Sequence, residues 1–400
     1  MTSRVRSGLL DVSFDMGRRR FLQLGVGGAA AALVGCRTSA TRPTPLPSGG
    51  RVIVVGAGPA GVTAAYRLRQ AGVDVQVLEA APTHGGRIKH DLDFVDFPLS
   101  LGGEWVHVEA EVLQEIVNDP AIAVQTELAA YDPDDLAGYF DGELALGPMG
   151  TTPDLKFVGS SWLDFFDTYL FPRISDSVVF NTQVTHVDYS GPLVRLTDAD
   201  GTTFEADRVI ITVPLRILQR GDVAFSPPLP AERVEAIASA NVWSGLKAFV
   251  EFSDHFYPAV LEIAEGSEED GQRLYYDAAY GQVTDANVLG LFSVGLHAER
   301  YQALLPDRLI GRILEELDEI FDGAASRTYV RHIVQNWNAE PFAGAAYLAD
   351  DAPWTLTRRL AGAVDGRVVF AGDAYTRFDD WSSVHAAARS AAEAVEELLG

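Results

Sequence analysis

Two hydrophobic rhythms alternate along the chain. Val52-Ile53-Val54-Val55 is a short, apolar, β-branched run, the mark of a strand buried on both faces of a parallel sheet. Gly56-Ala57-Gly58-Pro59-Ala60-Gly61 interrupts it, helical spacing runs from Val62 to Ala71, and Gly72 stops the helix. Asp74 to Leu78 reads as a second strand, with Glu79 at its end. Ala248 to Phe252 and Val288 to Val294 read as strands further on, and Val368 to Ala371 as another that ends at Gly372-Asp373. Trp381-Ser382-Ser383-Val384-His385 then opens an alanine-rich helix that runs to Leu399.

The segment before Arg51 has a different character. Arg18-Arg19-Arg20-Phe21-Leu22 precedes an apolar run from Leu24 to Gly35, too short for the roughly 20 residues of a membrane span. A basic stretch before a short apolar one makes a signal peptide, and the paired arginines resemble a twin-arginine signal, here residues 1–35. Leu33-Val34-Gly35-Cys36 resembles a lipobox, with an ordinary cleavage site as the alternative. Residues 36–50, rich in Pro, Ser and Gly towards their end, read as a tether. The expectation is an exported protein, periplasmic or held to a membrane only through an N-terminal lipid.

The first strand, glycine turn, helix, second strand and terminal acid form a complete dinucleotide-binding βαβ unit. Gly56 allows the tight turn, Gly58 and Ala60 bring backbone close to a pyrophosphate at the helix N-terminus, and Gly61 lets helix and strand pack closely. Glu79 is placed to accept hydrogen bonds from an adenosine ribose. Gly85-Gly86-Arg87 can bring backbone and guanidinium to the same pyrophosphate.

Taken with Gly372-Asp373 and the Trp381–Ala387 helix start, and with Thr212-Val213-Pro214-Leu215 and Phe225-Ser226-Pro227-Pro228 in between, this pattern resembles the FAD-dependent amine oxidases of the monoamine and polyamine oxidase type. The resemblance runs from Arg51 to the C-terminus. It implies that Asp373 lies at the ribityl chain or pyrophosphate, and that amides around Val384 meet the flavin pyrimidine edge. It further implies that the backbone of Val184 holds the adenine, and that the loop Gly102-Gly103-Glu104-Trp105 passes beside the isoalloxazine. Lys247 corresponds to the lysine that reaches flavin N5 through a water; Trp337 and Tyr347 correspond to the substrate side, Tyr347 to one wall of an aromatic cage. There are departures. Ala346 stands where some members attach FAD through cysteine, so FAD should be held non-covalently. Val384 stands where monoamine oxidases place the second cage tyrosine, with Trp381 a partial substitute. Ala81 replaces an arginine that contacts the cofactor. Between Val108 and Phe157 the usual helical insertion is well under half its normal length, which implies a less enclosed cavity.

Composition sets limits on partners. With 31 basic against 56 acidic residues the formal charge is −25, which disfavours nucleic-acid binding and attracts cationic small molecules at long range. A single cysteine excludes an internal disulfide and a cysteine metal cluster. His84, His90, His332 and His385 have no metal-ligand spacing, and His107 reads as a structural histidine, with a place on the cavity wall as the alternative. The expected architecture is α/β: a doubly wound Rossmann-type FAD-binding domain from 51–107, 158–240 and 345–400, interleaved with an α+β substrate domain from 108–157 and 241–344. The expected reaction is oxidation of a small-molecule amine by hydride transfer to FAD, hydrolysis of the imine, and reoxidation by oxygen to give hydrogen peroxide. A dehydrogenase or desaturase acting on a C–C bond with another acceptor is the alternative.

Overall fold

The computed structural model describes residues 45–147, 154–263, 270–378 and 380–400. The signal, Cys36 and most of the tether lie outside the described residues.

The first strand, Arg51–Val55, sits in a six-stranded sheet ordered Val178–Val179, Asp74–Leu78, Arg51–Val55, Arg208–Ile211, Val368–Phe370, Gly362–Val364. All neighbours run parallel except the last pair. Its unbroken apolar run is explained by burial on both faces. Val52 and Val54 pack on the helices Pro59–Gln70 and Val384–Leu399, whereas Ile53 and Val55 face a second core that includes Val187, Leu196 and Leu215. Glycine at 61 is a steric requirement: a Cβ there would lie 1.9 Å from the Gly56 carbonyl oxygen.

The second large sheet has seven strands, ordered Tyr329–Asn336, Gly245–Phe252, Asn287–Val294, Arg273–Asp277, Val260–Ile263, Leu136–Phe140, Glu143–Leu146. Leu246, Ala248 and Val250 face the helix Pro306–Ile320 through Leu309, Ile313 and Leu317, so the helical cover lies on the face away from the cavity described below. Among its described residues the segment 108–157 holds one short α-helix, Val112–Val117, a 3-10 turn at Pro133–Asp135 and four short strands. Two of them form a hairpin across Asp141-Gly142, both at positive φ (52° and 79°), the backbone of a tight primed turn. This hairpin joins the seven-stranded sheet by parallel pairing of Leu136–Phe140 with Val260–Ile263. Where the family resemblance implies a shortened helical insertion, the chain mostly extends a sheet.

Gly61→Ala should displace the glycine turn or the first helix. The expected loss is about 1–3 kcal/mol of stability, as for overpacking generally, with weakened FAD retention; denaturant unfolding of the FAD-free protein and flavin content after dialysis measure the two effects.

Candidate active site

A cavity of about 950 Å³ extends from the carboxyl ends of the first two strands, at Val55 and Leu78, to the seven-stranded sheet at Lys247 and Phe292. Carboxyl ends of parallel strands are where open α/β sheets hold ligands. Two helix N-termini open into it, at Gly58-Pro59-Ala60 and at Ser382-Ser383-Val384, and each favours negative charge.

At the first of these, Glu79 is buried and already braced. It accepts from the Ala57 amide at 2.5 Å and from the Ala81 amide at 2.8 Å. Burial raises its pKa, against the pull of those amides. The backbone of Ala81 thus supports the acid, although its side chain lacks the expected arginine. A Cβ on Gly58 would meet nothing within 4 Å, so this turn presents open backbone to the cavity. Arg87 pairs with Asp373 at 2.5 Å and donates to the Ala346 carbonyl, tying the glycine doublet to the Gly372-Asp373 strand end. A Cβ on Gly103 would press on Val384 Cγ2 at 2.9 Å, so the Gly102–Trp105 loop passes directly against the second helix start. The open glycine turn, the braced acid, Arg87 and the two helix starts lie along one cavity and fit an elongated dinucleotide.

At the other end lies a buried ionic cluster. Glu104 accepts from Lys247 Nζ at 2.7 Å, Lys156 Nζ at 2.8 Å and the Tyr276 hydroxyl at 2.6 Å. Lys247 also donates to the Ser100 carbonyl at 3.2 Å, and its ammonium lies 5.0 Å from the Trp105 ring centre and 5.4 Å from that of Tyr276. Burial alone would raise the Glu104 carboxyl; the two ammoniums outweigh it and hold it at about 2. Burial lowers Lys247, and Glu104 opposes that shift. Two lysines share this carboxylate beside the cavity, and the Asp277 carboxylate acts on Lys156 as well.

The residues singled out from the sequence converge. Gly56, Gly58, Ala60, Glu79, Gly86, Arg87, Gly103, Glu104, Trp105, Val184, Lys247, Trp337, Tyr347, Gly372, Asp373, Trp381 and Val384 all line this cavity. Gly61 does not; it sits beneath the turn against Gly56. Trp337 donates its indole N–H to the Leu101 carbonyl at 3.0 Å, and Trp381 donates to that of Ala349 at 3.1 Å, so both rings are fixed. Tyr347 packs near Trp243. His107 also lines the cavity, 2.9 Å from Asp154. Lys156 and Tyr276 were missed. Leu155-Lys156-Phe157 has the same signature as the Lys247 strand, a cation set in an apolar stretch. Among the described residues no group of His, Cys, Asp and Glu is arranged to hold a metal ion, and no helix is long and apolar enough to cross a membrane.

Comparison with known proteins gives this geometry its context. The family model for flavin-containing amine oxidoreductases matches residues 59–177 and 172–399. The chain belongs to that family. FAD is therefore its cofactor, and the residues above fit it. Among relatives of this amine oxidoreductase, polyamine oxidase 4 of Oryza sativa subsp. japonica is 24% identical, over 86% of this chain and 88% of its own. Lysine-specific histone demethylase 1B of Mus musculus is 23% identical over 82% of this chain and 50% of its own. Among solved structures, a wild-type putrescine oxidase bound to putrescine superposes with a TM-score of 0.70 at 17% identity, covering 88% of this chain and 99% of that one. Cyclohexylamine oxidase from Brevibacterium oxydans gives 0.70 at 17%, covering 87% and 99%. At such identities the structural likeness establishes the fold.

Glu104→Gln leaves two buried ammoniums without a counter-charge and should cost about 3–5 kcal/mol. Glu104→Gln with Lys156→Met should recover much of it. A carboxyl depressed to about 2 from an ordinary 4.5 contributes stability that is complete above the higher value and lost as pH falls towards the lower. Denaturant midpoints measured through that acid range should therefore fall for the wild type and stay flatter for Glu104→Gln.

Proposed function

We propose that this flavoenzyme oxidises a small amine to an imine, with oxygen as electron acceptor and hydrogen peroxide as product. The observation that carries the reading is Lys247, fixed by Glu104 in an aromatic wall of the same cavity that presents the dinucleotide-binding turn. Bound FAD supplies a two-electron acceptor for the C–N oxidation and a donor to oxygen.

The chain's own residues prepare the reactants. An amine must be neutral to give up hydride, yet free alkylamines have pKa values near that of lysine, about 10.4. The apolar lining, including Trp337, Phe292 and Tyr347, desolvates the ammonium and lowers that value. Lys247 offers a fixed cation where negative charge develops on reduction and where oxygen is reduced. No cysteine lies among the described cavity residues, and Ala346 packs its methyl against Gly245, which supports non-covalent retention of FAD. The polyamine, putrescine and cyclohexylamine oxidases that the chain resembles support the substrate class.

Amines added to the FAD-loaded protein without air should bleach the flavin, and in air should yield peroxide. Bleaching without peroxide would replace oxygen by another acceptor; a flavin untouched by every amine would favour the C–C dehydrogenase alternative. Lys247→Met should fold and load FAD, because Glu104 keeps Lys156 as a one-to-one partner. Its reoxidation by oxygen should slow about tenfold, or about 1.4 kcal/mol in barrier, as read by stopped flow from the pre-reduced enzyme.

A further inference from the structure

Tyr131 follows the short strand Leu128–Ala130, inside the stretch where the family resemblance implies a shortened helical insertion. One side chain pins both of its neighbours: the Tyr280 hydroxyl donates to the Ala130 carbonyl at 3.3 Å and accepts from the Asp132 amide at 2.8 Å. The rings of Tyr131 and Tyr280 lie 4.7 Å apart at 34°. Held in this way, Tyr131 forms part of the cavity wall and is 6% exposed. The lining beside it is apolar. Pro133 and Leu136 follow on the same segment, Leu136 is paired with Val260 on the neighbouring strand, and Phe292 packs edge-on to Trp105 with ring centres 5.7 Å apart.

The hydroxyl of this residue is only half engaged. It accepts the indole N–H of Trp105, which also lines the cavity, at 3.0 Å. A phenol has a proton of its own to donate, and among the described residues the Tyr131 hydroxyl makes no second hydrogen bond. Burial, with the Glu104 carboxylate adding to it, raises the Tyr131 pKa well above the ordinary value, so the proton stays on the oxygen. The carboxylates that act on it are engaged elsewhere: Glu104 by Lys156, Lys247 and Tyr276, Asp154 by His107, and Asp277 by the Ala279 amide. A buried donor without an acceptor is costly, and a ligand that brings an acceptor relieves that cost. An ammonium carries only donors and leaves the proton unplaced, whereas an ether, hydroxyl or carbonyl oxygen accepts it.

Resting on the amine-oxidising reading above, we propose that Tyr131 determines specificity by donating a hydrogen bond to an oxygen acceptor on the apolar body of the amine that is oxidised beside Lys247. The substrate class is an alkyl or arylalkyl amine with an oxygen set into its hydrocarbon. The ring of Tyr131 and the apolar lining take the hydrocarbon, and the hydroxyl selects the position of the oxygen along it. Tyr131 takes no part in the bond changes. The selection comes from segment 108–157, the stretch in which this chain departs from the family pattern.

The test uses FAD-loaded wild type and Tyr131→Phe, which keeps the ring and removes the hydroxyl. The probes are heptylamine and three ethers of the same length, 2-butoxyethylamine, 3-propoxypropylamine and 4-ethoxybutylamine, in which oxygen replaces a different methylene. In the wild type one ether should exceed the other two in kcat/KM. Tyr131→Phe should lower the ratio of that ether's kcat/KM to heptylamine's about fivefold to tenfold, as for one net hydrogen bond, with the loss in KM. The variant also frees the Trp105 indole, and because that effect is common to all four amines the ratio cancels it. A second readout needs no turnover: equilibrium dialysis of the same amines against the pre-reduced holoenzyme without air, where the affinity ratio should fall by a similar factor. Ether-to-heptylamine ratios equal in the two proteins for all three isomers would overturn the role of Tyr131 and leave amine oxidation standing. If the wild type oxidises none of the four, the amine-oxidising reading fails, and dialysis still decides: a ratio lowered in Tyr131→Phe supports the hydrogen bond and an equal ratio overturns it.

Discussion

Glu104 is a single carboxylate on which four distant segments close. It sits in the glycine-rich loop and takes hydrogen bonds from Lys156, Lys247 and Tyr276, which lie 52, 143 and 172 residues further along the chain. Each donor comes from a different strand, two of them in the seven-stranded sheet. The loop is held from the other side by the backbone: the Gly103 amide donates to the Arg87 carbonyl, and Gly103 abuts Val384. The seven-stranded sheet is thus fixed against the glycine-rich loop through a charged, desolvated contact. Such a contact is unforgiving of partner loss, and that same property gives it a single geometry.

Burial lowers the pKa of Lys247, and the clustering opposes that shift. Lys247 is surrounded by Trp105, Phe249 and Tyr276, whose faces attract a cation while excluding water. Glu104 supplies the opposing charge and fixes Lys247 at one end of the cavity.

The parts legible in the sequence were those that local chemistry dictates. The βαβ unit is contiguous, and its glycines, helix and terminal acid each have a steric or electrostatic cause that spacing alone reveals. The strand-to-helix passage from Val368 to Leu399 is similarly local. The place of Lys156 depends on contact between strands far apart in the chain, which no single stretch encodes. Lys156 had a readable sign in its apolar flanks, but its partner did not. The hairpin at Asp141-Gly142 carries an Asp-Gly turn signal that the resemblance, which implied only a much shortened helical insertion, did not bring out. Gly61 was correctly tied to close packing and yet does not line the cavity, because the contact that forbids its side chain is with the turn itself.

That hairpin occupies the border of the substrate sheet beyond Glu262. Leu136–Phe140 covers what would otherwise be the free edge of Val260–Ile263, and Glu143–Leu146, exposed along its length, becomes the new edge among the described residues. Of the hairpin's described residues only Leu136 lines the cavity, so the excursion closes the border of the sheet rather than the site itself. The strand that carries cavity residues is thereby kept interior, and the sheet meets solvent through a hairpin that a change of length or sequence can alter with little consequence for the cavity lining.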